Sequence, residues 1–292
     1  MLTPEIVIQS LASGLLMGLL YGLIAVGLAL IFGLMDIVNF AHGEFLMLAM
    51  YATFGLAVAF MLDPLLSAPL VAAALFAFGA LIYLGVIRFA MRAKTNIGMV
   101  QIFATFGLAI LLRSLAQFFF GVDFLTVSEP LLAGRVAVGP LFLGVPQLAA
   151  SVTALGAFVG LYLFLSRSET GLALQATAQD RQAAALMGID TQRMFALGWV
   201  IGSACVGVAG GLLAMFFYIY PDVGSTFALL AYVTVALGGF GNVPATLLAG
   251  VLVGLVEALG GLVLTPALKY AAVFALYLGV VLWRPQGLFG RF

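Results

Sequence analysis

Between Gly14 and Phe60 the chain reads GLLMGLLYGLIAVGLALIFGLMDIVNFAHGEFLMLAMYATFGLAVAF. Two apolar runs, each long enough to cross about 30 Å of hydrocarbon with about 20 helical residues, flank one polar knot made of Asp36, Asn39, His42 and Glu44. Ionisable groups beside hydrocarbon are costly unless they find partners, so a cluster of them between two spanning helices marks a functional segment by default.

The rest of the chain repeats the apolar theme. Hydrophobic residues make up 65% and charged residues 8%, too little polar surface for a water-soluble globule. The chain is therefore an all-α polytopic membrane protein. Net charge is zero, and no basic patch interleaved with aromatics points to nucleic acid. The single cysteine, Cys205, lies in an apolar helix and reads as a small core residue. The start, MLTPEIVIQS, carries no Lys or Arg and runs into apolar sequence as far as Phe32, which predicts a spanning helix and not a cleaved signal peptide.

Spans are expected near 6–32, 40–61, 68–90, 97–120, 146–166, 194–219, 226–240, 245–264 and 267–283. The seventh is short and ends in glycine, so the count is nine or eight. With nine crossings, Arg88, Arg92, Lys94, Arg167, Arg181, Arg193, Arg284 and Arg291 share one side, Arg135 and Lys269 lie near the other, and Arg113 sits inside a span. The excess of Lys and Arg makes the first side cytoplasmic, with the N-terminus outside and the C-terminus inside. Small residues recur every fourth position: Gly14, Gly18 and Gly22; Ser203, Gly207 and Gly211; Gly250, Gly254 and Ala258. Such faces let backbones approach closely, either within one subunit or between subunits.

Residues 1–292 read as a single transmembrane domain with two notable loops. Residues 121–145, with Glu129, Pro130, Gly134, Arg135, Gly139 and Pro140, form an external loop apolar enough to pack on the membrane face. Residues 167–193 form the long cytoplasmic loop, in which Gly171 precedes an Ala-rich helical pattern that Gly188 can end.

Enzyme chemistry finds no footing. Neither lysine stands in a Walker A loop, whose glycines let backbone N–H groups wrap phosphates. One histidine excludes paired-His zinc sites, and Ser203 has neither a nucleophile elbow nor a base in view. The remaining polar residues keep two readings each. Asn39 suits a helix N-cap and a place beside a pathway; His42 and Glu44 suit a hydrogen-bonded pair at a helix start or a gate, with Glu44 favoured by the positive end of the helix dipole. The breaks Gly33–Asn39 and Gly238–Pro244, the latter holding Gly239, Gly241, Asn242 and Pro244, need non-helical backbone, which membranes tolerate only inside protein or along a wet cavity. Arg113 and Glu257, both within spans, are expected to pair with one another or to line an outer vestibule.

In the cytoplasmic loop, Gln182-Ala183-Ala184-Ala185-Leu186-Met187-Gly188 resembles the E-A-A-x-x-x-G loop of ABC importer permeases. It departs from that pattern in having Gln182 for Glu and no Ile-x-Leu-Pro after Gly188. The segments IFGLMDIVNFAHGEF, GLALQATAQDRQAAALMGID, VALGGFGNVPATLLAGVLVGLVE and RPQGLFG stand in the order and spacing of branched-chain amino acid ABC transporter permeases of the LivH type, which the chain resembles over nearly its whole length. That resemblance implies a non-catalytic permease of the bacterial inner membrane, importing leucine, isoleucine and valine or, as in relatives, other amino acids or urea. It implies a LivM-like second permease, two LivG- and LivF-like ATPases that hold the ATP and Mg, and an external substrate-binding protein. ATPase coupling would fall to Gly171, Asp180, Ala183, Ala184 and Gly188, and the pathway to the two breaks with His42 and Glu44. The alternative, a secondary transporter or channel without ATPases, predicts mid-membrane coupling carboxylates and inverted repeats; only Glu257 fits the first.

Overall fold

A computed structural model describes residues 3–93, 96–127, 132–139 and 141–290. Lys94, Glu129, Pro130, Pro140 and Arg291, used above, lie outside the described residues. Helices dominate: α1 (Pro4–Met35), α2 (His42–Phe60), α3 (Pro64–Ile82), a π turn (Tyr83–Ile87), α4 (Arg88–Ala90), α5 (Ile97–Phe120), α6 (Val145–Arg167), α7 (Glu169–Gln179), α8 (Arg181–Leu186), α9 (Thr191–Leu213), α10 (Val223–Gly238), α11 (Val243–Val263) and α12 (Lys269–Trp283). Eight helical stretches among the described residues are long and apolar enough to cross a membrane, and α10, at 16 residues, is shorter. The sixth expected span, 194–219, stops at Leu213, and α10 follows after turns, displaced from the expected 226–240 to Val223–Gly238.

The chain writes its own helix starts. Proline follows the cap of α1, α3, α6 and α11, where its missing N–H is no loss. Asp63, Ser168, Asp180, Asp190 and Asn242 accept first-turn N–H groups. Long α1 is the central helix, with Leu20, Ile24, Ala29 and Ile31 fully enclosed. Its glycine face meets that of α11: a Cβ on Gly18 would lie 2.7 Å from Val251 Cα, and one on Gly14 2.6 Å from the Gly254 carbonyl. The face of Ser203, Gly207 and Gly211 packs on α3. All three small-residue faces are thus used inside the subunit, and the subunit-interface reading is not needed for them. Apolar residues instead face outward on α5 and α12, including Phe103, Phe118 and Leu282.

One element was not expected. Within the loop 121–145, β1 (Arg135–Val138) and β2 (Leu141–Gly144) form an antiparallel hairpin with Arg135 opposite Gly144. The Gln9 side-chain amide bonds both the N–H and the carbonyl of Phe142 at 2.8 Å, so α1 supplies a substitute strand edge and the loop is fastened to its first turns.

Candidate functional site

Asp36 ends α1 in the left-handed region, φ 52°, with its N–H on the Phe32 carbonyl. The chain then doubles back inside the bundle. His42 opens α2 with Nε2–H donating to the Ile24 carbonyl at 2.9 Å, and from Ile24 to Met35 α1 rises about 16 Å at 1.5 Å per residue. Helix α2 therefore starts deep in the protein. The start of α10 lies beside it, where the backbones of Gly43 and Gly224 touch so closely that neither has room for a Cβ. Two discontinuous helices thus begin side by side in mid-bundle, their positive dipole ends adjacent.

Arg113 of α5 reaches this junction. It forms an ion pair with Glu44 and a second contact, 3.4 Å, with Asp222 just before α10. Acidic residues at both helix starts answer the dipoles, and the guanidinium answers the acids. The expected Arg113–Glu257 pair is not formed: Glu257 Oε1 lies 2.6 Å from Lys269 Nζ instead. Their spacing along separate helices did not reveal that the doubled-back α2 would bring Glu44 to Arg113. Nor do His42 and Glu44 bond each other, since neighbours two apart on a helix diverge. Asn39 is not the N-cap, a position held by Ala41. Its Oδ1 accepts the Ala41 N–H at 3.0 Å and its carbonyl accepts the Tyr232 hydroxyl at 2.9 Å. Asn39 Nδ2, His42 Nδ1, Glu44 Oε2 and Arg113 Nε are buried without a hydrogen-bond partner among the described residues. Sequence reading passed over Asp222 and Tyr232, which only the fold brings here.

The second break folds against the first. Gly239 and Gly241 have φ 95° and 79°, and a Cβ on Gly33 would sit 2.8 Å from Gly241 Cα, so both positions require glycine. Phe32 and Phe240 meet beside them with centroids 4.3 Å apart and ring planes tilted by 36°. Asn242 caps α11 through the Ala245 N–H, and Pro244 occupies its first turn. A crevice of about 980 Å³ opens here, lined by Gly33, Gly241, Pro244, Gln175, Gln179 and Gln286 among others. The tail is tied in by Leu288 N–H to the Leu237 carbonyl, 2.7 Å.

The loop 167–193 folds as two short helices. Gly171 packs on the end of α6, where a Cβ would lie 2.6 Å from Leu165 Cα. Asp180 caps α8 through the N–H groups of Gln182 and Ala183, and Gly188 turns the chain with φ 83°. Ala184 points inward and is buried, so the outer surface belongs to Ala183, Ala185, Leu186 and Met187, the last two more than 80% exposed. Arg181 leaves α8 to bond Asp36 at 2.6 Å while lying over the Phe195 ring. Four segments distant in sequence, the first break, the loop, the second break and the tail, thus converge at one end of the bundle.

Comparison with known proteins places the chain in a family. Residues 10–281 match the family model described as branched-chain amino acid transport system / permease component. The chain belongs to this family. It is 32% identical to the high-affinity branched-chain amino acid transport system permease protein BraD of Pseudomonas aeruginosa, over 99% of this chain and 98% of that one. It is 31% identical to the LivH permease protein of Escherichia coli K12, over 97% and 96% of the two chains. With a probable LivH permease of Methanocaldococcus jannaschii it shares 29% identity over 81% of this chain and 76% of the relative. No solved structure matches the chain. As a permease component it is a non-catalytic membrane subunit, and its long apolar helices with this kinship make it a multi-pass inner-membrane protein. Among the described residues no cluster of His, Cys, Asp and Glu could hold a metal ion. Membership in this family gives no support to a secondary transporter acting without ATPases.

Proposed function

We propose that this permease component forms one half of the translocation pathway of an ATP-driven importer of branched-chain or related hydrophobic amino acids. Its partners are a LivM-like permease, LivG- and LivF-like ATPases that bind ATP and Mg, and an external binding protein. The observation that carries the reading is the Arg181–Asp36 ion pair, which joins the loop resembling the coupling loop of ABC importers directly to the first helix break.

In this reading 1–292 is one transmembrane domain whose α7–α8 end is cytoplasmic. Arg88, Arg167, Arg181, Arg193 and Arg284 cluster towards that end, as the positive-inside rule asks. The hairpin loop and the N-terminus are then outside and the tail inside, with α10 completing a ninth pass together with the turns before it. Leu186 and Met187, with Ala183 and Ala185, seat in the ATPase; Asp180, Gly171 and Gly188 shape the loop, and Ala184 anchors it to its own subunit. ATPase closure pulls α8, and Arg181 passes the pull to Asp36 and on to the segment that ends at His42 and Glu44. Gly33 in the last turn of α1 and Gly241 of the second break give a side-chain-free contact on which the two can shift, and Gly239 lies against the tail at Gln286 and Gly290.

The test is purification of the tagged chain with the products of neighbouring genes, followed by ATP hydrolysis in nanodiscs with the binding protein, empty or leucine-loaded. Stimulation by the loaded protein supports the importer. A folded, monodisperse chain that brings down no ATPase overturns it.

A further inference from the structure

At the end of the bundle away from α8, a cavity of about 480 Å³ opens between α1, α11 and α12. We propose that it is a binding site for a zwitterionic amino acid with an aliphatic side chain, which sets its carboxylate on Lys269 and its ammonium on Glu257. The proposal rests on the permease reading and adds where the subunit holds its substrate.

The cavity's size lies within the range of about 300–1,000 Å³ usual for small-molecule sites. Its charged wall is the Glu257–Lys269 pair. Glu257 is 6% exposed, and Lys269 is held over the Tyr270 ring at 4.6 Å. Its floor is the glycine crossing of α1 and α11, and Met17, Phe216, Phe217 and Leu262 supply apolar surface. A pair serving packing alone gains most from being closed in by side chains; this one borders open space, and an ionisable residue within a span is a functional candidate by default.

The chemistry selects the ligand. In the empty cavity each charge neutralises the other. An α-amino acid brings one ammonium and one carboxylate a few bonds apart, so it can insert by exchanging one internal ion pair for two intermolecular ones. Neither state leaves a lone buried charge, the arrangement that is strongly unfavourable. A simple carboxylate would bind Lys269 and strand Glu257, and a simple amine would do the reverse, so rejection of both follows from the pair itself. The apolar surface suits an aliphatic side chain, and the exchange of like for like keeps binding weak enough for release onward.

The test uses the full chain in phosphatidylcholine nanodiscs and leucine as the probe. Saturation-transfer NMR reads contact of the leucine methyls with the protein. Leucine is expected to give a signal that excess unlabelled isoleucine displaces, while leucinamide and 4-methylpentanoate at equal concentration displace at least tenfold less. The neutral double variant Glu257→Gln/Lys269→Met is expected to lose the signal at least tenfold. Gly261→Leu, which keeps both charges and puts a side chain into the cavity with its Cβ 3.5 Å from Lys269 Cβ, is expected to lose it too, and unchanged size-exclusion elution of both variants guards against a folding artefact. Equal displacement by leucinamide or 4-methylpentanoate overturns the proposal, as does a wild-type signal in both variants. Displacement by phosphatidylglycerol with no preference for the zwitterion overturns it in favour of a lipid headgroup site. Leucine uptake by the reconstituted complex separates the two readings. Wild-type uptake with the double variant removes this site and keeps the permease, whereas no uptake by the unaltered complex with its binding protein removes the permease reading itself.

Discussion

Replacing Arg113 with leucine takes away the cation that compensates Glu44 while leaving a carboxylate only 3% exposed at the meeting of two helix starts. Removing one partner of a buried pair is worth about 3–5 kcal/mol. Arg113 is itself one-third exposed, so solvent already screens part of the attraction and the lower end, about 3 kcal/mol, applies. The Asp222 contact adds little, because that carboxylate is 60% exposed. With about 2 °C per kcal/mol for a chain of this length, the melting temperature should fall by about 6 °C. Adding Glu44→Gln removes the stranded charge, so the double variant should recover to within about 2 °C of the unaltered protein, or about 1 kcal/mol. Thermal unfolding of detergent-purified protein, followed by size-exclusion chromatography of heated samples, measures both. An Arg113→Leu protein that melts with the wild type, or a double variant no more stable than the single, would refute the reasoning that this pair is an electrostatic unit.

Gly241→Ala should destabilise by about 1–2 kcal/mol, since it combines positive φ with a tight approach to Gly33 Cα, 3.2 Å, whereas Gly55→Ala, on an open helix face, should be neutral or stabilising; paired melting curves decide. Arg181→Glu should lower leucine uptake severalfold with little change in melting, because an exposed pair contributes about 1 kcal/mol or less, and Asp36→Arg combined with it should restore uptake; failure of the swap to rescue removes the link from the coupling scheme. Leu186→Asp with Met187→Asp should abolish co-purification of the ATPases while leaving the melting temperature within about 2 °C, as both side chains are exposed; retained ATPases would shift docking elsewhere on the loop.

Membrane-length apolar runs made the helices legible in sequence, whereas the Pro, Asp, Ser and Asn that start them went unused, and the one N-cap expected, Asn39, is not the cap. The polar knot and the glycine-rich second break stood out because such residues are rare among apolar ones. Partnership was less legible. Arg113 and Glu257 were matched by elimination, yet Glu44 and Lys269 were their partners, because a chain that doubles back along α1 changes every depth estimated from a full-length span. The hairpin escaped notice since four-residue strands carry too short an alternation to stand out in a loop rich in Gly and Pro. Ala184 shows the same limit on a smaller scale: a run of three alanines does not say which one faces inward until the helix is placed on α9.

Two sets of polar groups inside the bundle argue for where movement occurs. Thr53, Ser203 and Thr234 each return their hydroxyl to the carbonyl four residues back, at 2.7–2.9 Å; each is satisfied by its own helix whatever its neighbours do. Asn39, His42, Glu44 and Arg113 instead depend on other segments and keep buried atoms without partners. A group satisfied within its helix imposes no position on the bundle, whereas groups that rely on neighbours have more than one arrangement open to them. These four gather at the end of the stretch that begins at Asp36, the residue bound to Arg181 of α8. If α8 moves with an ATPase, the displacement reaches the mid-bundle ion pair through the six residues outside the helices, 36–41. The Arg181→Glu and Arg113→Leu variants probe the two ends of that stretch, and coupling through it requires their effects on uptake to be non-additive.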